Sequence, residues 1–441
     1  MTGVNIGVES VYDFVDSRIL NNRLGIVKDI FVWLPAPDDA RIFLAAAITQ
    51  NTARIGTKLS TSFNSGAGFD LKQAVYAAVG ETVERYCSAF IEEDDIVFGN
   101  YERLNKSIKC VKPDNFAFYH DEQYKLSEFP FKRFDDNSNV NWTSMTDLLT
   151  GERTYLPAAS VYLPYWPSDK EDLIWYPVST GVSCATSIEE AILKGIYEVI
   201  ERDSFSILWY NKLSVPEIDI TSDDEIFALY KKHFEIQGCK YYLFDMTMDT
   251  GVPSVLGVLD DEKGGILIAA ATRLSMKDAV IKTLLELSQG RVSWKEDFVE
   301  GTSQVFFDDF SDIRDFHSRV MLYTKKDMKK HFDFLLENNR KIKIKDDDII
   351  SDDIRTKLVI TGNRVLEKGY SIYVKDLTTP DLNDLNFKVV RVVIPGFTEI
   401  TNDHVIPRIG GDRIYNVPVY LGYRSKKVET FELNKVPHPF P

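Results

Sequence analysis

A short acidic phrase occurs twice in this chain, each time inside an apolar helical pattern. Gly80-Glu81-Thr82-Val83-Glu84-Arg85-Tyr86 is echoed by Tyr197-Glu198-Val199-Ile200-Glu201-Arg202-Asp203. Residues three apart share a face of an α-helix, so each copy presents two carboxylates side by side. On the first helix, about 71–90, Val75, Val79, Val83 and Tyr86 fall together and Glu81 lies roughly opposite. On the second, about 188–210, Ile192, Ile196, Val199 and Ile200 form the apolar side, while Glu190, Lys194, Glu198 and Glu201 form the other. A glutamate four residues before an arginine, as in Glu81 with Arg85 or Glu198 with Arg202, is also an ordinary surface ion pair stabilising by ~0.2–0.5 kcal/mol. Repetition on two helices that each have a face to bury argues against that reading. Four glutamates on two paired helices would make a cradle for Mg²⁺, a cation that takes oxygen ligands and often bridges nucleotide phosphates.

The rest of the chain reads as mixed α/β (α+β). A third helix, about 277–294, places Lys282, Glu286 and Gln289 on one face, where a solvated Lys–Glu pair is the alternative. Strand-like runs occur at 30–34, 42–47, 241–244, 254–259, 265–269, 371–376 and 389–394, the last ending at Pro395-Gly396. Residues 91–176 offer only short strands and loops. Ser65-Gly66-Ala67-Gly68 reads as a turn that could approach a phosphate closely, although no P-loop is present. Ser187 with Glu190 matches a capping box. A helix N-terminus flanked by the Ser183 and Thr186 hydroxyls would equally hold a phosphate or sugar, and both uses remain open. The charge-rich stretch 320–357 reads as a solvated helix and loop. Pro437-His438-Pro439-Phe440-Pro441 favours an extended polyproline II shape, with an aromatic placed to dock.

The balance of 52 Lys+Arg against 67 Asp+Glu, a formal charge of −15, argues against nucleic-acid binding through the overall field. An anionic ligand would need a local device such as a metal, a helix N-terminus or a few placed cations. Cys87, Cys110, Cys184 and Cys239 show no C-x-x-C spacing, which argues against structural zinc and suits a reducing cytoplasm. There is no signal-peptide pattern, and no run approaches the ~20 apolar residues of a membrane span, so a soluble cytoplasmic protein is expected.

Together these residues resemble the YcaO superfamily of ATP-dependent enzymes that activate peptide amide bonds. The matching stretches are Asn64-Ser-Gly-Ala-Gly through Glu81-x-x-Glu84-Arg85, and Ser179-x-Gly-x-Ser183 through Glu190 to Glu198-x-x-Glu201-Arg202. They continue with Lys282-x-x-x-Glu286-x-x-Gln289-Gly290-Arg291, Asp376-Leu377-Thr378 and Val393-Ile-Pro395-Gly396. Pro437, Pro439 and Pro441 are similar to the tail of the azoline-forming branch, which makes thiazolines and (methyl)oxazolines from Cys, Ser and Thr of ribosomally made precursor peptides.

The resemblance implies a YcaO fold of mixed sheets, with the ATP site between the helices that carry the repeated motif. It implies Mg²⁺ on Glu81, Glu84, Glu198, Glu201 and Glu286, and ATP contacts from Ser183, Thr186, Glu190, Arg202, Lys282 and Gln289. Arg202 and the carboxylate of Pro441 are the implied catalytic groups. Ala67 stands where the family often has a phosphate-binding lysine, with Lys58 and Lys72 as candidates to compensate. Lys282 replaces a common arginine, and Thr186 a common asparagine. The implied organisation is a strand-rich segment 1–60, a catalytic domain 61–436 and a proline-rich tail 437–441 reaching the active site. At this length no fused leader-binding domain is expected, so a separate E1-like partner protein would deliver the precursor peptide. A flavin-dependent dehydrogenase acting next and a homodimer are further implications. Thioamide or amidine formation, and a non-catalytic scaffold, are the rival readings.

Overall fold

The computed structural model describes residues 14–51, 53, 63–116, 118–262, 264–295, 304–345 and 351–440. Three sheets organise them. In the first, β1 (Val27–Trp33), β2 (Phe43–Thr49) and β3 (Phe63–Gly68) run antiparallel in that order, with helix α1 (Leu71–Ser88) packed across β2 and β3. The second has the order β4 (Val97–Gly99), β5 (Val140–Asp147), β13 (Tyr373–Asp376), β14 (Lys388–Val393), β7 (Val182–Ala185), and β6 (Arg153–Pro157) also pairs with β5. The third has the order β11 (Gly265–Thr272), β10 (Ser254–Asp261), β9 (Cys239–Asp245), β8 (Glu217–Asp219), β12 (Lys341–Lys343). The remaining helices are α2 (Tyr101–Leu104), α3 (Ile188–Asn211), α4 (Asp224–His233), α5 (Met276–Ser293), α6 (Phe316–Tyr323), α7 (Asp333–Leu336), α8 (Ile354–Leu366) and α9 (Asp412–Tyr420). Among the described residues no helix is long and apolar enough to cross a membrane.

One unit recurs in each sheet: a strand, a polar cap and a long helix. Asp70, Ser187 and Ser275 sit at the N-caps of α1, α3 and α5, and their side chains accept from the N–H of Gln73, Glu190 and Asp278. Such a cap satisfies one of the helix's orphan donors and fixes where it starts. The cap therefore also fixes which residues of each helix face the space between the three units.

Helix α3 is the axis of the molecule. Its N-terminal half is amphipathic and packs on β7 and β14. Its C-terminal half is enclosed on all sides, burying Phe205, Ile207, Leu208 and Trp209 together with the polar Asp203, Ser204, Ser206 and Asn211. Lys212, left-handed at φ 48°, ends it.

Two sequence expectations change. Residues 65–68 lie in strand β3, not in a turn. Gly66 is glycine because α1 crosses β3 at contact: a Cβ there would meet Ala78 N at 2.4 Å and Ala74 O at 2.5 Å. The stretch 320–357 is also more than a solvated helix and loop. Val320, Leu322, Tyr323, Met328, Phe332 and Leu335 are buried within it, while the neighbouring lysines point outward. Strong apolar positions between charges are what a charge-run reading overlooks. Asp346, Asp347 and Asp348 lie outside the described residues.

Candidate active site

The three strand–cap–helix units enclose one cavity of about 1910 Å³. Helix α1 contributes Glu81, Glu84 and Arg85; α3 contributes Glu190, Lys194, Glu198, Glu201 and Arg202; α5 contributes Lys282, Glu286 and Gln289. Ser65, Ala67, Ser183 and Thr186 line it from the strands and the α3 cap. All the sequence-derived nucleotide and metal candidates therefore face one space. Pro441 and Lys58 lie outside the described residues. Lys72 does not line the cavity and stands 5.5 Å from the Tyr76 ring centroid. Arg291, part of the third motif, is buried and pairs with Asp261 (2.8 Å) and Asp39 (3.0 Å) instead.

Each carboxylate is held by a neighbour. Glu81 accepts from the Ser65 N–H (3.3 Å) and faces Arg85 at 3.5 Å; Glu84 lies 3.8 Å from the same arginine. Glu198 accepts from the Gly181 N–H (3.2 Å) and stands 3.7 Å from Arg202. Glu201 accepts from the Thr272 N–H (3.1 Å), and Glu286 pairs with Lys282 at 3.0 Å. Gln289 donates to the Ser65 hydroxyl at 2.7 Å, tying α5 to β3. At the α3 cap the Ser187 side chain accepts from the Glu190 N–H, while Thr186 donates to the Glu190 carboxylate (3.1 Å) and Lys194 pairs with it (2.9 Å). The buried Ser183 hydroxyl donates to the Ala191 carbonyl at 2.5 Å.

Crowding shifts these acids. Burial pushes Glu84 well above the usual carboxylate range despite Arg85, and Glu198 and Glu81 add to the effect. Burial also raises Glu198, against Arg202 and Arg85. Glu201 is pushed up to about 8, first by burial and then by Glu286. Glu190 moves the other way: burial opposes its charge, but Lys194 and Thr186 hold it below its ordinary value. Burial therefore favours the protonated form of Glu84, Glu198 and Glu201 against their arginine neighbours, a recurrent property of functional sites.

The donor set suits a hard divalent cation, since all five acids offer carboxylate oxygen. Among the described residues no three acidic, Cys or His side chains already converge on a point. Each carboxylate is instead turned to a nearby N–H or cation, so ligation would require it to swing from that partner. The residues fit Mg²⁺ in chemistry and in number.

Sequence reasoning missed the groups that hold the acids: the N–H of Ser65, Gly181 and Thr272, and Arg273. Arg273 lines the cavity beside Thr272 and helps to lower Glu201. A cation at the junction between a strand and a helix cap is the signal that could have flagged it. On the far wall Phe440, the last described residue, is buried with its ring 4.4 Å from the Arg202 guanidinium carbon.

A family model described as YcaO cyclodehydratase, ATP- and Mg²⁺-binding, matches residues 65–398. An uncharacterized protein of Methanothermobacter thermautotrophicus (strain Delta H) is 26% identical over 351 residues, 78% of this chain and 84% of that protein. A heterocyclase solved in complex with substrate and cofactor has a TM-score of 0.79 at 22% identity, covering 96% of this chain. The match takes in only 56% of the heterocyclase, so this chain spans little more than half its length. YcaO from Methanopyrus kandleri, bound with AMPPCP and Mg²⁺, has a TM-score of 0.62 at 22% identity and covers 87% of this chain and 89% of that one. The mixed α+β architecture described above is the one these structures share.

Proposed function

This chain belongs to the YcaO family, and from that premise we propose that it is the ATP-dependent cyclodehydratase component of a peptide-modifying system. It would convert Cys, Ser or Thr of a ribosomal precursor peptide to thiazoline or (methyl)oxazoline. The observation that carries this reading is the set of five glutamates, drawn from α1, α3 and α5, around one cavity large enough for a nucleotide and a peptide segment. A binding scaffold has no need to gather so many carboxylates in one place.

Glu81, Glu84, Glu198, Glu201 and Glu286 would hold Mg²⁺, which when bound offsets the charge of the triphosphate and orients its transferring phosphoryl group. Glu201 gives up its proton as positive charge arrives, which makes occupation of the cavity pH-dependent. Arg202, Lys282 and Gln289 serve the phosphates, with Arg273 filling the cationic role that Ala67 leaves vacant on β3. Ser183, Thr186 and Glu190 serve the nucleoside, Glu190 remaining charged to accept from ribose hydroxyls.

In the peptide, the side-chain sulfur or oxygen gives up its proton and adds to the preceding amide carbon, which turns the carbonyl oxygen into an oxyanion. That oxygen takes the γ-phosphoryl group, releasing ADP, and departs as phosphate while the amide nitrogen gives up its proton and forms the C=N bond of the ring. Fixed cations around the transferring group lower the barrier because the charge they meet is greatest in the transition state. Residues 61–436 would form the catalytic domain and the following proline-rich segment part of its wall. A separate leader-binding protein of the E1-like type would present the peptide.

The test is phosphate release by the protein with Mg·ATP, a precursor peptide and its candidate partner, beside Glu201→Ala. Peptide-dependent release, loss of one water mass per ring and an inactive control are expected. ATP turnover that ignores the peptide, or rings formed by the control, would refute the assignment.

A further inference from the structure

Contacts along its whole length fasten the segment 436–440 to the body of the protein. The Trp209 indole N–H donates to the Val436 carbonyl at 3.1 Å, and the Tyr323 hydroxyl donates to the Pro437 carbonyl. His438 is 5% exposed; its Nε2 lies 2.9 Å from the Thr401 carbonyl and 2.7 Å from Nη1 of Arg319, and its Nδ1 lies 3.1 Å from the same Nη1. Phe440, 3% exposed, packs its ring 4.7 Å from that of Phe205 and 4.4 Å from the Arg202 guanidinium.

The Arg319 contact fixes the charge of the ring. An arginine can only donate, so the imidazole nitrogen that meets Arg319 must accept. The clasp therefore requires the neutral imidazole. A second proton would set two N–H groups head to head and add a cation beside Arg319, with Arg202 and His404 also close. Burial and then Arg319 hold the ring far on the neutral side of its ordinary value.

Arg202 lines the cavity with Glu198 at 3.7 Å on one side and the Phe440 ring face on the other. We propose that His438 and Phe440 are positioning residues: the imidazole clasps the segment to Arg319 and Thr401, and the phenyl ring it seats aligns the Arg202 guanidinium for an anionic phosphate. This inference rests on the nucleotide reading above. An aromatic face attracts a guanidinium without neutralising it. Phe440 thus orients the guanidinium without adding a second counter-charge to that of Glu198.

Hydrogen exchange of the segment in the nucleotide-free protein and the affinity for Mg·AMPPCP test the two halves separately. In His438→Phe, which keeps a ring but loses both hydrogen bonds, segment amides should exchange roughly tenfold faster. His438→Gln, which can accept from Arg319 and donate to Thr401, should exchange as the wild type does. Phe440→Leu gives up part of the packing on Phe205, so segment exchange should rise less than in His438→Phe, yet the variant should bind Mg·AMPPCP about three- to tenfold more weakly. Wild-type exchange in His438→Phe overturns the clasp, and unaltered affinity in Phe440→Leu overturns the alignment of Arg202. If the wild type binds no Mg·AMPPCP, the nucleotide reading and the Arg202 half fail together, while exchange still decides the clasp.

Discussion

Glu201 is the acid whose environment most separates function from stability. Its carboxyl is raised from an ordinary 4.5 to about 8, so between those values the folded state binds more protons than the unfolded state. The stability it contributes is full below about pH 4.5 and is lost as pH rises through about 8. Glu201→Gln mimics the protonated side chain and escapes that loss. We expect the variant to melt at a higher temperature than wild type at pH 9, with the difference shrinking towards pH 5, and to release no phosphate from ATP. Thermal unfolding at the two pH values checks this; an equal difference at both would show that Glu201 titrates normally. Saturating Mg²⁺ should reduce the wild-type deficit at pH 9, because a cation replaces the missing proton.

The strand–cap–helix unit brings these residues together, and its tolerance is set by how closely each helix approaches its strand. Gly66→Ala would drive a Cβ into the backbone of α1, at 2.4 Å from Ala78 N, and should cost about 1–3 kcal/mol or more in urea unfolding. Gly80→Ala, in the middle of the same helix, meets nothing within 4 Å and should stabilise by about 0.5–1 kcal/mol. If both alanines proved neutral, the close α1–β3 contact would be wrong. Element-scale packing also explains what could be read in advance. The acidic faces of α1, α3 and α5 follow from helical period alone, since an apolar stripe at Val75, Val79 and Val83 fixes where Glu81 and Glu84 can point. The Ser187 cap announces itself by its spacing to Glu190, whereas the Ser275 cap of α5 went unread. The role of Gly66 was hidden because a glycine pair reads equally as a turn or as a contact surface, and only the crossing helix decides. The N–H partners of Glu198 and Glu201 come from the turn before β7 and the end of β11, so no local pattern contains them.

Across the whole molecule, α3 packs on strands of the second and third sheets, and a buried charge network secures its C-terminal half. Arg413 of α9 pairs with Asp203 of α3 at 2.8 Å and with Asp249 at 2.6 Å, and its guanidinium lies 4.1 Å from the Phe397 ring centroid. Removing the arginine would leave two carboxylates in the core, so Arg413→Ala should destabilise by about 3–5 kcal/mol. Chemical denaturation of the variant measures that, and a loss under ~1 kcal/mol would mean the network is solvated and weak. This rigid centre lets helices from separate sheets hold their acids in register around one cavity. The central claim, that the cavity transfers a phosphoryl group to an amide oxygen, is tested most directly by label. A precursor peptide carrying heavy oxygen at the carbonyl preceding the cyclised residue should, with Mg·ATP and the partner protein, yield labelled inorganic phosphate in step with ring formation. Rings accompanied by unlabelled phosphate would contradict the account.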